Sequence, residues 1–329
     1  MSVAGSRINM EGHMYSSKLR IFSGSSNEPL ARKIAEKLGQ PLGKIKLSRF
    51  KSGEVYVHYE ETIRNCDVFL IQSLSHPIND YFVELLVMID AAKRASARTI
   101  SVVLPYYGYA RQERKAAPRE PISAKMVADV LTTVGSCRVI TIDLHAPAIQ
   151  GFFNIPVDHL TALDLISDHL KKLDLPNPVV VSPDAGRAST AEKLANQLNA
   201  PFAIMIKKRP NHNESVITHV IGEVEGSTPI IIEDMIDTGN TIVNVVESLK
   251  ERKSKDVYVC ATHPLFSANA LQRLDHPNIR EVVVTDSILL PDDHSPRFRV
   301  LSVAPMLSEA IRIIMEGGSI STLFKNKGV

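Results

Sequence analysis

Thr228–Thr241 reads T-P-I-I-I-E-D-M-I-D-T-G-N-T, and the order of residue types within it decides the fold class. Ile230 to Ile232 put β-branched side chains on both faces, as a central strand of a covered parallel sheet requires. Glu233 and Asp234 stand where that strand should end. A polar loop follows, Asp237-Thr238-Gly239-Asn240-Thr241, and then Ile242, Val245, Val246 and Leu249 at helical spacing. A strand, an acidic pair, a glycine-containing hydroxyl loop and a helix start together describe an anion pocket at a helix N-terminus. Backbone N–H groups and the Thr238 and Thr241 hydroxyls suit a phosphate. The two carboxylates suit the hydroxyls of a sugar. The plainer possibility is a surface βα loop in which Asp237 or Thr238 caps the helix.

Outward from this stretch the same rhythm repeats. Before it, Val179–Val181 runs into Ser182-Pro183-Asp184-Ala185-Gly186-Arg187, and a helix containing Leu194 and Leu198 follows. Phe202–Ile206 reads as a strand that delivers Lys207, Lys208 and Arg209, with a polar bend from Pro210 to Glu214. After it, strands are expected at 257–261, 282–284 and 300–303, with helices at 269–274 and 308–315.

The first half opens with a strand at 18–23 and a helix over Leu30, Ile34 and Leu38 that Asn27 or Ser26 caps and Gly39 ends. A hairpin-like stretch spans Lys46–Tyr59, with Phe50-Lys51-Ser52-Gly53-Glu54 at its turn. Strands at 68–72, 99–104 and 138–142 alternate with helices at 81–94 and 122–134, and a further helix is expected at 162–173. The basic segment around Arg111 and Gln112 is too poor in apolar residues for a packed helix and reads as a binding loop beyond a strand's carboxyl end. His145 closes Asp143-Leu144-His145 at another strand end, as a metal ligand, a phosphate contact or a structural histidine.

About eleven strands alternating with helices in two runs indicate an α/β protein with two doubly wound domains and mostly parallel sheets. The expected division is a loose extension at 1–16, a first domain at 17–161 with 316–329, and a second domain at 162–315. With 329 residues, 44% hydrophobic, 22% charged and a formal net charge of +2, nothing calls for nucleic acid or an acidic membrane surface as partner. No apolar run approaches the ~18–20 residues that span a bilayer. Cys66, Cys137 and Cys260 are odd in number and widely spaced, which fits a reducing cytoplasm rather than a disulfide framework.

The acidic pair with D-T-G-N-T resembles the ribose-phosphate signature of the type I phosphoribosyltransferase fold. F-K-S-G-E at 50–54, Y-A-R-Q-E at 109–113, R-E-P-I-S-A-K at 119–125, D-L-H-A at 143–146, Q-G-F-F-N-I-P-V-D at 150–158 and S-P-D-A-G at 182–186 are similar to ribose-phosphate pyrophosphokinases, from about Lys18 to Phe324. That resemblance implies transfer of pyrophosphate from ATP to ribose 5-phosphate, with Mg²⁺, giving phosphoribosyl pyrophosphate and AMP for nucleotide, histidine and tryptophan synthesis. It implies that Phe50, Ser52 and Glu54 hold adenine from a neighbouring subunit, with Arg111 and Gln112 along the nucleotide. It makes His145 and Asp184 magnesium ligands, and Asp184, Ala185, Gly186 and Arg187 the pyrophosphate loop. Glu233 and Asp234 then take the ribose hydroxyls, Asp237, Thr238, Gly239, Asn240 and Thr241 cradle the 5-phosphate, and Lys207 and Arg209 are the catalytic cations of a flexible loop. Ser319, Ser321 and Phe324 resemble a segment that helps bind regulatory phosphate or ADP, and the family suggests a homohexamer.

The chain also departs from the pattern. Arg187 replaces the second of two adjacent glycines, and Thr190 stands at an arginine position. Asn240 replaces a glycine, Ile206 a frequent aspartate, and Ser52 an Asp or Asn. Two expectations follow: an active enzyme in which Arg187 restores the lost charge from a new place, or a weakly active or non-catalytic regulatory paralogue. A nucleobase phosphoribosyltransferase is more distant, since it needs neither the ATP-side motifs nor two such domains.

Overall fold

The computed structural model describes residues 18–211, 214–291 and 294–324, with the backbone alone at 207–211, 214–218 and 324. The chain divides into two compact units, one of residues 1–160 with 302–329 and one of residues 161–301.

The first unit begins with β1 (Lys18–Ser23) and α1 (Glu28–Lys37), whose first turn is capped by Asn27 Oδ1 accepting from the Leu30 amide. β2 (Ile45–Arg49) and β3 (Val55–Tyr59) form a separate antiparallel pair. Alternation in β3 turns Val55, Val57 and Tyr59 inward, and the Tyr59 hydroxyl donates to the Met88 carbonyl at 2.9 Å. β4 (Cys66–Ile71), α2 (Ile78–Arg94), β5 (Thr99–Leu104), α3 (Ser123–Val134), β6 (Arg138–Ile142) and β7 (Val157–Leu160) complete the unit's βα succession. Its five-stranded sheet has the order β1-β4-β5-β6-β7, parallel throughout. Every residue of β4 is buried, which explains its nearly unbroken apolar run. The exception, Asp67, is held by Arg98 and by the Thr99 hydroxyl at 2.6 Å.

The second unit contains α4 (Leu163–Lys171), β8 (Pro178–Ser182), α5 (Ala188–Leu198), β9 (Phe202–Asn211), β10 (Glu214–Ile221), β11 (Thr228–Ile236), α6 (Asn240–Glu251), β12 (Val257–Pro264), α7 (Ala270–Leu274), β13 (Ile279–Thr285) and β14 (Phe298–Leu301). They build a seven-stranded sheet in the order β10-β9-β8-β11-β12-β13-β14, with only β10 antiparallel to its neighbour. From β8 the chain moves to β9 on one side and later returns to place β11 on the other. The strand order therefore reverses between β8 and β11. In open α/β sheets the crevice beyond the carboxyl ends at such a reversal is where ligands bind.

Several expectations need correction. β11 continues through Ile236, so Glu233 and Asp234 lie inside the strand, because its parallel pairing with β12 runs on to Ile236 and Pro264. Of the polar bend expected at 210–214, residues 212 and 213 lie outside the described residues, and on either side of them β9, running on to Asn211, and β10, from Glu214, form an antiparallel pair. Its register shifts between Glu214 and Val216, an irregularity beside Pro210, which cannot donate to a ladder. The backbones of Lys207 and Arg209 thus belong to a strand rather than to a loop beyond one. β7 was not expected as a strand. The helix expected at 308–315 is α8 (Ala304–Met315), and it belongs to the first unit rather than closing the second domain. Arg312 of α8 donates to the Lys37 carbonyl at the end of α1.

Candidate active site

The β8–β11 reversal gathers the candidate residues of the second unit. At the end of β8, Asp184 caps a single 3-10 turn, Ala185–Arg187. Its Oδ1 accepts from the Gly186 amide at 3.0 Å, and its carbonyl accepts from the Ser182 hydroxyl at 2.6 Å. A Cβ on Gly186 would come within 3.2 Å of that same Asp184 oxygen, so the tight turn favours a glycine. Arg187 follows with φ −103° and ψ 3°, backbone that any residue adopts; no glycine is required there on conformational grounds. Its guanidinium is directed to the neighbouring strand. Nη2 lies 2.7 Å from Asp234 Oδ2, and Nε lies 3.6 Å from Glu233 Oε2.

At the end of β11 the chain turns through Asp237, Thr238 and Gly239. Gly239 has φ +79° and precedes the first residue of α6, so it, and neither Asp237 nor Thr238, is the cap. No side chain caps this helix, and its first turn contains no acidic residue. Asn240 and Thr241 form that first turn and are exposed. A helix start of this kind favours an anion through its amides and its dipole. α6 is seated by Ile242, Val245, Val246 and Leu249, all buried as their spacing requires.

Two residues that the sequence reading did not single out shape this turn. The Ser267 hydroxyl donates to Asp237 Oδ1, and Arg273 Nη1 donates to the Thr238 carbonyl at 2.8 Å. Both come from the segment after β12, distant in sequence, and no local pattern announces them. Lys207 and Arg209 lie in β9, and their side chains lie outside the described residues.

The first unit carries the other candidates on three separate excursions. Phe50 is 57% exposed at the β2–β3 turn, with its ring edge-on to Tyr56. The Ser52 hydroxyl donates to Glu54 Oε2 at 2.6 Å, so the adenine candidates form one preorganised tip. Beyond β5, Arg111 is exposed, and the Gln112 side-chain oxygen accepts from Ser123, the first residue of α3, at 2.6 Å. No helix spans 110–119, as its composition predicts.

His145 follows β6 in a segment that is pinned by an unforeseen residue. His159 of β7 accepts from the Leu144 amide through Nε2 at 2.9 Å, while its Nδ1 lies 3.2 Å from Gln150 Nε2. The 150–158 motif reaches this segment only as far as Asp158, and His159 lies just beyond it. At the C-terminal end, the Ser319 and Ser321 hydroxyls are 2.7 Å apart, and the Phe324 side chain lies outside the described residues.

His145 belongs to the first unit and Asp184 to the second. Among the described residues no group of three or more His, Cys, Asp or Glu side chains could hold a metal ion alone. Asp184 offers a carboxylate oxygen of the kind Mg²⁺ takes, and fits only as one member of a ligand set that waters and phosphate oxygens complete. Among these residues no helix is long and apolar enough to cross a membrane.

A mostly parallel α/β sheet with an acidic pair and an uncapped, glycine-started helix at its reversal has the architecture of the type I phosphoribosyltransferase fold. The comparisons narrow this. Residues 19–135 match the N-terminal domain of ribose phosphate pyrophosphokinase, and residues 182–325 match the phosphoribosyl synthetase-associated domain. The chain is 50% identical over 316 residues to a ribose-phosphate pyrophosphokinase of Bacillus cereus, covering 96% of this chain and 100% of that protein. It is 50% identical over 307 residues to that of Bacillus subtilis, covering 93% and 97%. The crystal structure of phosphoribosylpyrophosphate synthetase from Mycobacterium smegmatis superposes with a TM-score of 0.87 at 42% identity, covering 92% of this chain and 100% of that one. The chain belongs to the ribose-phosphate pyrophosphokinase family, and it is an enzyme, a pyrophosphotransferase that makes phosphoribosyl pyrophosphate.

Proposed function

We propose that the chain transfers the terminal pyrophosphoryl group of ATP to the 1-hydroxyl of ribose 5-phosphate, releasing AMP. The observation that carries this reading is the pairing of Glu233 and Asp234 with the Gly239-started helix at the β8–β11 reversal. There, two acceptors for sugar hydroxyls adjoin an anion-binding turn. In the reaction the ribose 1-oxygen bonds to the β-phosphorus, the bond from that phosphorus to the α,β-bridging oxygen breaks, and the hydroxyl proton leaves to solvent. No covalent enzyme intermediate is needed, so positioning and charge stabilisation supply the acceleration.

Asp237–Thr241 cradle the 5-phosphate and Asp184–Arg187 border the transferred group. Lys207 and Arg209 supply positive charge to it. His145 and Asp184 act as partial ligands to Mg²⁺, which, when bound with ATP, offsets the negative charge that crowds on the transferred phosphates. Phe50, Ser52 and Glu54 hold adenine from a neighbouring subunit, with Arg111 and Gln112 along the nucleotide. That shared site makes the chain a homo-oligomer, a hexamer by family likeness. Its exposed tip, with Phe50 57% in solvent, supports this arrangement. Ser319, Ser321 and Phe324 take regulatory phosphate or ADP. The product feeds nucleotide, histidine and tryptophan synthesis in the cytoplasm, a compartment that suits three free cysteines.

The non-catalytic alternative gains no support from relatives named for the enzyme at 50% identity. The test is AMP release from ATP by the purified chain with Mg²⁺ and phosphate. Release that depends on ribose 5-phosphate is expected; ATP turnover indifferent to the sugar, or no turnover, would overturn the reading.

A further inference from the structure

Arg187 was expected to restore, from a new place, the charge lost where Thr190 stands at an arginine position. Instead its guanidinium reaches from the end of β8 to the acidic pair on β11, the strand that neighbours β8 through Val181 and Ile231. The contact with Asp234 is a charge-assisted hydrogen bond at 2.7 Å, and that with Glu233 an ion pair at 3.6 Å. The three side chains are only 15%, 6% and 13% exposed, so water does little to screen them. The backbone of Arg187 is unstrained, and the turn before it is fixed by Asp184 and Gly186. The side chain is therefore held at the mouth of the crevice by ordinary local structure.

We propose that Arg187 is a latch on the sugar site, a specificity-determining residue whose guanidinium engages the carboxylates that the ribose hydroxyls need. The inference rests on the reading of Glu233 and Asp234 as ribose acceptors. Ribose 5-phosphate then binds by exchange: the sugar hydroxyls replace a cationic donor on Glu233 and Asp234, and the 5-phosphate contacts at Asp237–Thr241 drive the replacement. A neutral hydroxyl donor to a carboxylate is a weaker partner than a guanidinium, so the exchange lowers affinity for the free sugar phosphate. A bare phosphate touches only the helix start and needs no exchange. Residue 187 thus sets how far the site discriminates between a pentose phosphate and inorganic phosphate. With glycine at this position the carboxylates would stand without the latch.

The test is calorimetric titration of the full-length chain with ribose 5-phosphate, and separately with inorganic phosphate, in EDTA and without ATP. The proteins are the parent, Arg187→Met, and the double variant Glu233→Gln/Asp234→Asn. Arg187→Met is expected to bind ribose 5-phosphate about tenfold more tightly, the scale of one charge-assisted hydrogen bond, with phosphate binding unchanged or weaker. Steady-state KM for ribose 5-phosphate is expected to fall in the same variant, a change that a merely structural role would not produce. Equal or weaker ribose 5-phosphate binding by Arg187→Met, while the double variant loses it, would overturn the latch and leave the sugar site standing. Should the double variant bind ribose 5-phosphate as the parent does, the underlying reading fails instead. If Arg187→Met does not fold, Arg187→Gln decides: several-fold tightening supports the latch, and no tightening overturns it.

Discussion

The two units use the same strand–helix rhythm and place their chemistry differently. In the first, the strands are laid down in one direction, β1-β4-β5-β6-β7, and no reversal opens a crevice within the sheet. Its candidate residues are carried outward on a hairpin tip, on the segment beyond β5 and on the segment beyond β6. In the second, the order reverses at β8 and β11, and Asp184, Arg187, Glu233, Asp234 and Asp237–Thr241 all adjoin that reversal. The difference shows that strand order, rather than strand content, decides whether candidate residues gather at one reversal of a sheet or stand apart on its excursions.

Neutralising buried carboxylates in each unit sharpens this contrast most. Glu233→Gln with Asp234→Asn should lower kcat/KM for ribose 5-phosphate by about 10²–10³, the scale of losing preorganised polar groups from an active site. Asp67→Asn, at the opposite, amino end of β4, removes a buried carboxylate paired with Arg98. It should cost about 1–3 kcal/mol of stability in denaturant unfolding, with kcat/KM changed by no more than about twofold. Activity loss in Asp67→Asn equal to that of the double variant would break the comparison.

Gly239→Ala comes next. At φ +79°, with the nearest atom to an added Cβ at an ordinary 3.6 Å, the substitution meets no clash. It pays only the left-handed backbone strain, about 1–2 kcal/mol. KM for ribose 5-phosphate should rise roughly tenfold, while ATP binding, measured by calorimetry, stays as in the parent. Arg273→Ala removes the bond that steadies the Thr238 carbonyl and should raise the same KM about threefold to fivefold with kcat little changed. A KM effect confined to ATP would remove Arg273 from the account of the phosphate turn.

The smallest effect is alkaline. Burial raises the Cys260 thiol in the second unit and the Tyr59 and Tyr107 phenols in the first. A raised native pKa means that the folded state holds its proton more tightly. The stabilisation is therefore complete below the unfolded pKa and is lost as pH rises through it toward the native one. Each group removes about 1.4 kcal/mol per pH unit across that window, beginning near 8.5 for the thiol and near 10 for the phenols. Cys260→Ala should flatten urea-unfolding stability between about pH 8.5 and 10 and leave the decline above pH 10 in place.

Much of the fold was legible because its signals are local. The alternation of β3, the helical spacing of α6 and the Asn27 cap each act within a few residues. β10 escaped because the polar, proline-bearing 210–214 masks an antiparallel pair whose register is irregular. α8 was assigned to the wrong unit because nothing in its own sequence says which surface it covers; its Arg312 finds the end of α1 across 275 residues of chain. Around the reversal, the glycine turn before α6 could be read directly, whereas Glu233 and Asp234 fell inside β11 rather than at its end. Ser267, Arg273 and His159 could not be read, since each acts on a backbone or carboxylate group remote in sequence or outside its own element.

By itself the sequence determined the alternation of strands and helices, the residue types at their ends, and a family resemblance strong enough to predict the enzyme. Propensity, capping and hydrophobic period suffice for that because they depend on near neighbours. Only the tertiary structure decided that β11 crosses to the far side of β8, and that Arg187 spends its charge on Glu233 and Asp234. Strand order and ion pairing join residues brought together by the packing of the whole sheet, and no short stretch of chain contains both partners.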